Sequence, residues 1–399
     1  MKNIPRQALH LLLDRAKVYP VLTVLGPRQS GKTTLCRMAF ADKPYVNLER
    51  PDVRDYAQTD PRGFLAQYPD GAVLEEIQNV PELLSWLQVL TDEDGRKGRF
   101  VLTGSHQLEL NAQITQSLAG RTAVLELLPL SLSELCEAGL TSARANDADT
   151  LMLLGGYPKI HAERAPASVI LSDYYATYVT RDVRQLIQIR QMRSFEQCLR
   201  MLAGRVGQLL NHSSLGNEIG VSSNTVNQWV SVLQASFLVF CLPPWSVNVG
   251  KRWVKSPKLY FYDVGLACWL LGIHTTEQLQ HHPLRGALFE NLVVVEILKA
   301  LRNQGRRDTL YFLRDSNGLE IDVLLESGEG LRLIEIKASQ TATQTLFKSL
   351  RKVGTMLAER SQSESGLRLH SQTLIYGGDE AQTRSDLRLL PFAQASRVI

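Results

Sequence analysis

Residues 25–35 read LGPRQSGKTTL, with Gly26 and Gly31 set before Lys32, Thr33 and Thr34. The spacing G-x-x-x-x-G-K-[ST] restricts the fold more than any other stretch. It specifies a strand before it, a helix after it and an anion between the two. Glycines let backbone N–H groups wrap phosphate oxygens, and the first turn of the helix adds its own unpaired N–H groups. The flanks agree. VLTVL, Val21 to Leu25, is a short apolar run with β-branched residues that reads as a buried strand, and TTLCRMAF continues as a helix. Gly26, Pro27, Arg28, Gln29, Ser30, Gly31, Lys32, Thr33 and Thr34 are therefore expected to cradle a nucleotide. Lys32 would reach the β- and γ-phosphates of ATP, and the Thr33 hydroxyl would ligate Mg²⁺.

A phosphate loop needs an acidic partner at the end of another strand. AVLEEIQNVPELL supplies Glu75 and Glu76 after a strand-like run. One carboxylate should hold Mg²⁺ through water, and the next, Glu76, should polarise the attacking water. FVLTGS ends a further strand with Thr103 and Ser105, either as a γ-phosphate sensor or as a simple turn. Arg121, in SLAGRTAVLEL, is either an arginine finger acting in trans within a ring or dimer, or an ordinary surface residue. Strand-like YVNL, AVLEEI, FVLTGS and AVLELL alternate with helical stretches, which argues for a parallel α/β sheet.

The chain has 399 residues, enough for two or three domains. A net charge of +4 permits nucleic-acid contact without indicating it. Cys36, Cys136, Cys198, Cys241 and Cys268 are scattered with no metal-ligand or redox spacing, so they read as reduced thiols of a cytoplasmic protein. MKNIPRQALHLLLDR is too short in its apolar part for a signal peptide. The most apolar region, Trp229 to Trp245, is interrupted by Ser231, Gln234, Ser236 and a Pro-Pro pair, and reads as core rather than a membrane span. The polar segment SARANDADT marks a boundary. Three regions result: 1–140 with the sheet, 151–282 mostly helical, and 283–399 patterned as helix, three strands, helix, strand.

In the middle region, HSSLGNEIGVSSNTVNQWVSVL reads as a helix-turn-helix, with Gly220 at the turn and Ser222 or Ser223 as the cap of the second helix. FLVFCLPPW and PKLYFYD would form two strands of a wing. Lys251, Arg252, Lys255 and Lys258, interleaved with Trp253, lie between and at the start of the second strand. The module would either meet a DNA backbone or serve only for packing.

GPRQSGKTTL, VNLERPDVRDYAQTDPRGFL, LEEIQNVPELL, LTGSHQL and SLAGRT together resemble a family of prokaryotic AAA-type ATPases. In it a compact ATPase core is fused to a C-terminal region of unassigned function. GGYPKI, YVTRDV and KSPKLYFYDVGL extend the resemblance over essentially the whole chain. The family pattern has Asp-Glu where this chain has Glu75-Glu76. The order of elements after residue 285 resembles the PD-(D/E)XK nuclease fold. Carried over by position, the resemblance implies Asp322 and Glu335 as metal ligands, Lys337 as the residue that helps activate water or stabilises the phosphorane, and Glu290 as an additional acid. Ile321 stands where that motif has proline. The same four residues would otherwise form a structural ion-pair network.

The expected fold class is thus α/β: a P-loop NTPase parallel sheet, a helical winged-helix-like region and a restriction-endonuclease-like domain. Three readings of function follow. One is an Mg²⁺-dependent ATPase that passes conformational change to its C-terminal half. Another is a metal-dependent DNA nuclease with a regulatory ATPase. The third is a non-catalytic, ATP-gated switch that binds nucleic acid or protein.

Overall fold

The computed structural model describes residues 4–105, 117–183, 191–245, 255–307, 309–315, 317–361 and 368–399. Helix α1 (Ala8–Ala16) leads into β1 (Val21–Leu25), and the glycine loop leads into α2 (Lys32–Ala39). There follow β2 (Tyr45–Asn47), α3 (Pro51–Thr59), α4 (Pro61–Ala66), β3 (Val73–Glu75), α5 (Leu83–Asp94), β4 (Phe100–Gly104) and β5 (Thr122–Glu126). The five strands form one parallel sheet in the order β2-β3-β4-β1-β5. VLTVL is apolar almost throughout because both faces of β1 are covered. Leu22 and Val24 pack with Leu12 of α1 and Leu35 of α2. Val21 and Leu25 belong to the main core, which also holds Leu84 and Leu87 of α5.

The next region is mostly helical, as its pattern indicates. It contains α6 (Leu132–Glu137), α7 (Ala148–Leu154), α8 (Pro158–Glu163) and α9 (Ala167–Tyr174), which continues as a π-helical segment, Tyr175–Val183. Then come α10 (Met192–Ala203), α11 (His212–Ile219) and α12 (Ser223–Ala235). Helices α11 and α12 are the expected pair. Gly220 closes α11 in the left-handed conformation, φ 81°, and the Ser222 hydroxyl caps α12 by accepting from Thr225 N at 3.0 Å.

Strands β6 (Val239–Leu242) and β7 (Lys258–Phe261) pair antiparallel, as expected of the two wing strands. Their surroundings differ from the expectation. Lys258 is only 2% exposed and points into the molecule, so it is not a DNA-backbone contact. The strand pair is spliced into its neighbours: Leu209 bridges Lys258, Pro244 bridges Phe312, and Trp245 N donates to Phe312 O at 2.7 Å. Lys255 is exposed. Lys251, Arg252 and Trp253 lie outside the described residues.

The remainder comprises α13 (Val264–Leu270), α14 (Thr276–Gln280), α15 (Arg285–Asn303), β8 (Leu310–Arg314), β9 (Glu320–Ser327), β10 (Gly330–Lys337), α16 (Lys348–Ser361), β11 (Leu369–Tyr376), β12 (Gln382–Thr383) and β13 (Arg388–Pro391). Its mixed sheet has the order β12-β13-β11-β10-β9-β8. The β8-β9-β10 meander is antiparallel, whereas β11 runs parallel to β10. Leu331 and Leu333 pack with Leu350 and Val353 of α16. Ile334 and Ile336 join the main core with α15. Among the described residues no helix is long and apolar enough to cross a membrane.

Candidate active site

The glycine loop joins the carboxyl end of β1 to α2, and two glycines make the turn feasible. At Gly26, φ 153°, a Cβ would lie 2.2 Å from Leu127 O; Gly31 has φ 92°. Lys32, 6% exposed, donates from Nζ to Gly26 O and Pro27 O, both at 2.8 Å. Burial lowers its pKa to about 8, against the opposing pull of Glu76. The Thr33 hydroxyl donates to Glu75 Oε1. Burial raises the Glu75 pKa, and that hydroxyl bond works against the rise. Glu76 takes a left-handed backbone, φ 56°, uncommon for a residue with a side chain. Its carboxylate accepts from Ser105 Oγ at 2.9 Å and from Gln78 Nε2. Thr103 Oγ1 is buried with no hydrogen-bond partner.

Gly31, Lys32, Thr33, Glu75 and Glu76 line one cavity of about 980 Å³. Lys32, Thr33, Glu75 and Glu76 form one side; Pro158 and Ala162 of α8 and Tyr178 of the π-helical segment form another. The Arg28 guanidinium lies 5.8 Å from the centre of the Tyr178 ring, and the Tyr178 hydroxyl donates to Ser236 O at 3.0 Å. Arg6, buried and also lining the cavity, donates to Ser30 O and Leu128 O, both at 2.6 Å, and pairs with Glu134 at 3.0 Å. A hydroxyl and a carboxylate side by side, Thr33 and Glu75, are the hard oxygen donors that suit Mg²⁺. A buried ammonium beside a glycine loop suits phosphate. The donor set therefore fits both groups.

Arg121 is elsewhere. It precedes Thr122, the partner of Val21 at the amino-terminal edge of the sheet. There it grips Asp92 with two bonds of 2.5 and 2.9 Å. It does not reach the cavity of its own chain.

The carboxyl-terminal candidates do come together, with additional company. Lys337 Nζ lies 2.7 Å from Glu335 Oε1 and 3.4 Å from Asp322 Oδ2, and Asp322 Oδ2 also accepts from Ile336 N at 2.8 Å. Buried Lys258 pairs with Glu290 at 3.0 Å and with Glu320, and stands 3.9 Å from Asp322. Tyr260 donates to Glu290 at 2.5 Å. Burial, with the charge of Asp322 adding to it, raises Glu335 to about 8 and Glu290 to about 7. Burial opposes charge on Lys258, but Glu290, Asp322 and Glu320 outweigh it and hold its pKa above the ordinary lysine value. Among the described residues no group of three or more His, Cys, Asp or Glu is arranged to hold a metal ion.

Comparison with known proteins places this geometry. Residues 18–136 match an AAA domain. Residues 145–277 match a domain of unknown function, DUF8612, and 285–395 another, DUF4143. Uncharacterized proteins of Mycobacterium bovis and Mycobacterium tuberculosis are each 31% identical over 349 residues, 87% of this chain and 74% of theirs. The chain belongs to this P-loop AAA-domain family. An uncharacterized protein of Haemophilus influenzae is 24% identical over 70% of the chain and 74% of its own length. Among solved structures, a Walker-type ATPase of Pyrococcus abyssi covers 67% of this chain and 96% of its own, with TM-score 0.45 and 15% identity.

Several residues around the cavity at the glycine loop and the carboxyl-terminal cluster escaped sequence reading. Arg6 stands in NIPRQ with no motif around it, and only folding carries it to Ser30. Gln78 was visible only as the second residue after the acidic pair. Two signals were legible. In LEIDVLLE, Glu320 and Asp322 are two apart on a strand and so share a face. In PKLYFY, a lone lysine opens an apolar strand, which implies a buried counter-charge.

Proposed function

We propose that this AAA-family chain is an Mg²⁺-dependent ATPase. The observation that carries the reading is the convergence of Lys32, Thr33, Glu75 and Glu76 on one cavity at the carboxyl ends of β1 and β3. Lys32 would exchange the carbonyls of Gly26 and Pro27 for β- and γ-phosphate oxygens, and the loop N–H groups would wrap the phosphates. Thr33 and Glu75 would hold Mg²⁺, which would supply positive charge against the phosphates. Glu76, aimed by its left-handed backbone and held by Ser105 and Gln78, orients the attacking water. The test measures nucleotide binding and phosphate release. Lys32→Ala should lose ATP binding. Glu76→Gln should bind ATP yet turn it over about a hundredfold or more slowly, the usual scale for a missing catalytic base. Unchanged affinity in Lys32→Ala would remove the central claim.

The cluster at Asp322 we read as an internal ion network rather than a nuclease centre, because Lys258 and Lys337 already pair with its carboxylates. DNA cleavage with Mg²⁺ or Mn²⁺ that is lost in Asp322→Ala would reverse that reading. DNA binding through α11 and α12 is a second reading, favoured by the exposed amides of Asn224, Asn227 and Gln228 on α12. No Lys or Arg accompanies them on that helix. The phosphate contacts would then come from elsewhere, for example exposed Lys255.

A further inference from the structure

Strand β5 is the outermost strand of the parallel sheet, and among the described residues no strand pairs with its outer side. The register with β1 decides which backbone groups look outward. Arg121 O and Leu127 N bond to Val21 and Leu25 of β1, so the odd-numbered residues face inward and Thr122, Val124 and Glu126 face the open edge. That edge is one wall of a groove of about 800 Å³. Arg15 and Tyr19, at and just beyond the end of α1, form a second wall; Arg302, Arg306 and Arg307, at and beyond the end of α15, form a third. Four arginines and one carboxylate, Glu126, thus line the groove, and Arg302 contacts Glu126 at 2.7 Å. Arg15 and Arg307 are exposed. Arg307 Nη2 donates to Val124 O at 3.2 Å, so the edge already serves as an acceptor row. Gly305 lets the chain after α15 come close to α1, since a Cβ there would meet Leu11 at 2.9 Å.

We propose that this groove docks an extended, acidic peptide segment of a partner protein, which adds to β5 as a further parallel strand. Two features select that occupant. Thr122 O and Val124 N are the two outward groups that one residue of a parallel strand bridges, and a nucleic-acid strand has no backbone to match them. The arginines then meet carboxylates along the added strand, in bidentate geometry where they lie flat against them. Unprotected strand edges invite uncontrolled pairing. A row of guanidinium groups admits only an acidic strand and repels a basic one.

The test titrates the full chain with labelled peptides of about ten residues in which Glu alternates with Val or Thr, the pattern of a strand that offers one charged face. A peptide of the same composition interrupted by proline, and single-stranded DNA of equal length, are run beside it. The alternating peptide should bind saturably and at least about tenfold more tightly than either. Arg15→Glu and Arg307→Glu should each weaken it by about tenfold, mostly at low salt. Val124→Pro removes the outward N–H at an edge position where proline is tolerated, and should abolish binding beyond the loss seen in Val124→Ala, which gives up the same packing on the core but keeps the N–H. Failure of every alternating peptide to bind at millimolar concentration would overturn the proposal. So would equal binding of the proline-interrupted peptide, preference for DNA, or indifference to Val124→Pro and both charge reversals.

Discussion

Lys32 shows how much one side chain carries. Its ammonium is buried, its pKa is lowered to about 8, and among the described residues it donates to two loop carbonyls. A triphosphate brings several negative charges to the same place, which favours the protonated amine. Just above pH 8 the free protein therefore holds Lys32 partly neutral while the complex holds it charged. ATP binding should take up a proton there, and affinity should fall as pH rises further. Calorimetry in two buffers of different ionisation heat reads that uptake directly; zero uptake would mean that Lys32 is charged in both states. Arg6 acts at the same scale from the wall of the cavity. It fixes the Ser30 carbonyl and so the shape of the loop, and Arg6→Ala should weaken nucleotide binding in the same calorimetry.

At the scale of elements, local rules account for most of what is seen. VLTVL is buried at every position, the glycine loop turns where its glycines stand, and the caps at Gly220 and Ser222 punctuate the two-helix motif. Ser222→Ala should cost about 1 kcal/mol of stability, the typical value of an N-cap, with ATP turnover intact. A urea melt of the full chain measures it, and no change would show that the cap bond is not needed there. The π-helical continuation over Tyr175–Val183 was not legible, because an extra residue per turn is a response to packing rather than to pattern. Nor was the burial of β7. Alternation identified a strand, but not that both its edges are occupied: by residues 207–210 on one side and β6 on the other.

For the molecule as a whole, α15 is the common strut. Glu296 accepts from Leu132 N at 2.7 Å and Lys299 donates to Leu130 O at 2.8 Å, which ties the helix to the segment after β5. The same segment meets Arg6, and through it the glycine loop, at Leu128 O. Nearer its start, Asn291 bonds both the N and O of Phe261 in β7, and Glu290 meets Lys258. Lys258 is the counter-charge on which that end depends. Lys258→Ala should cost about 3–5 kcal/mol, the scale for leaving buried charges without their partner. The penalty should shrink toward pH 5. Glu290 and Glu335 have folded pKa values raised to about 7 and about 8, so the folded state keeps their protons after the unfolded chain has lost them. Stability from these groups then falls as pH rises from the ordinary glutamate range through those values, and falls further without Lys258. Melts of both proteins at several pH values check this; a pH-independent difference would contradict it.

The sequence by itself determined the parallel sheet, the glycine loop and the Glu75-Glu76 pair at a strand end, because each depends on neighbours a few residues away. Only the tertiary structure decided that Arg6 clamps the loop, that Arg121 sits at the far edge on Asp92, and that Lys258 enters the carboxylate cluster. Those contacts join residues from 24 to 64 positions apart. A side chain's partner at such distance is set by how whole elements pack, and no local pattern encodes it.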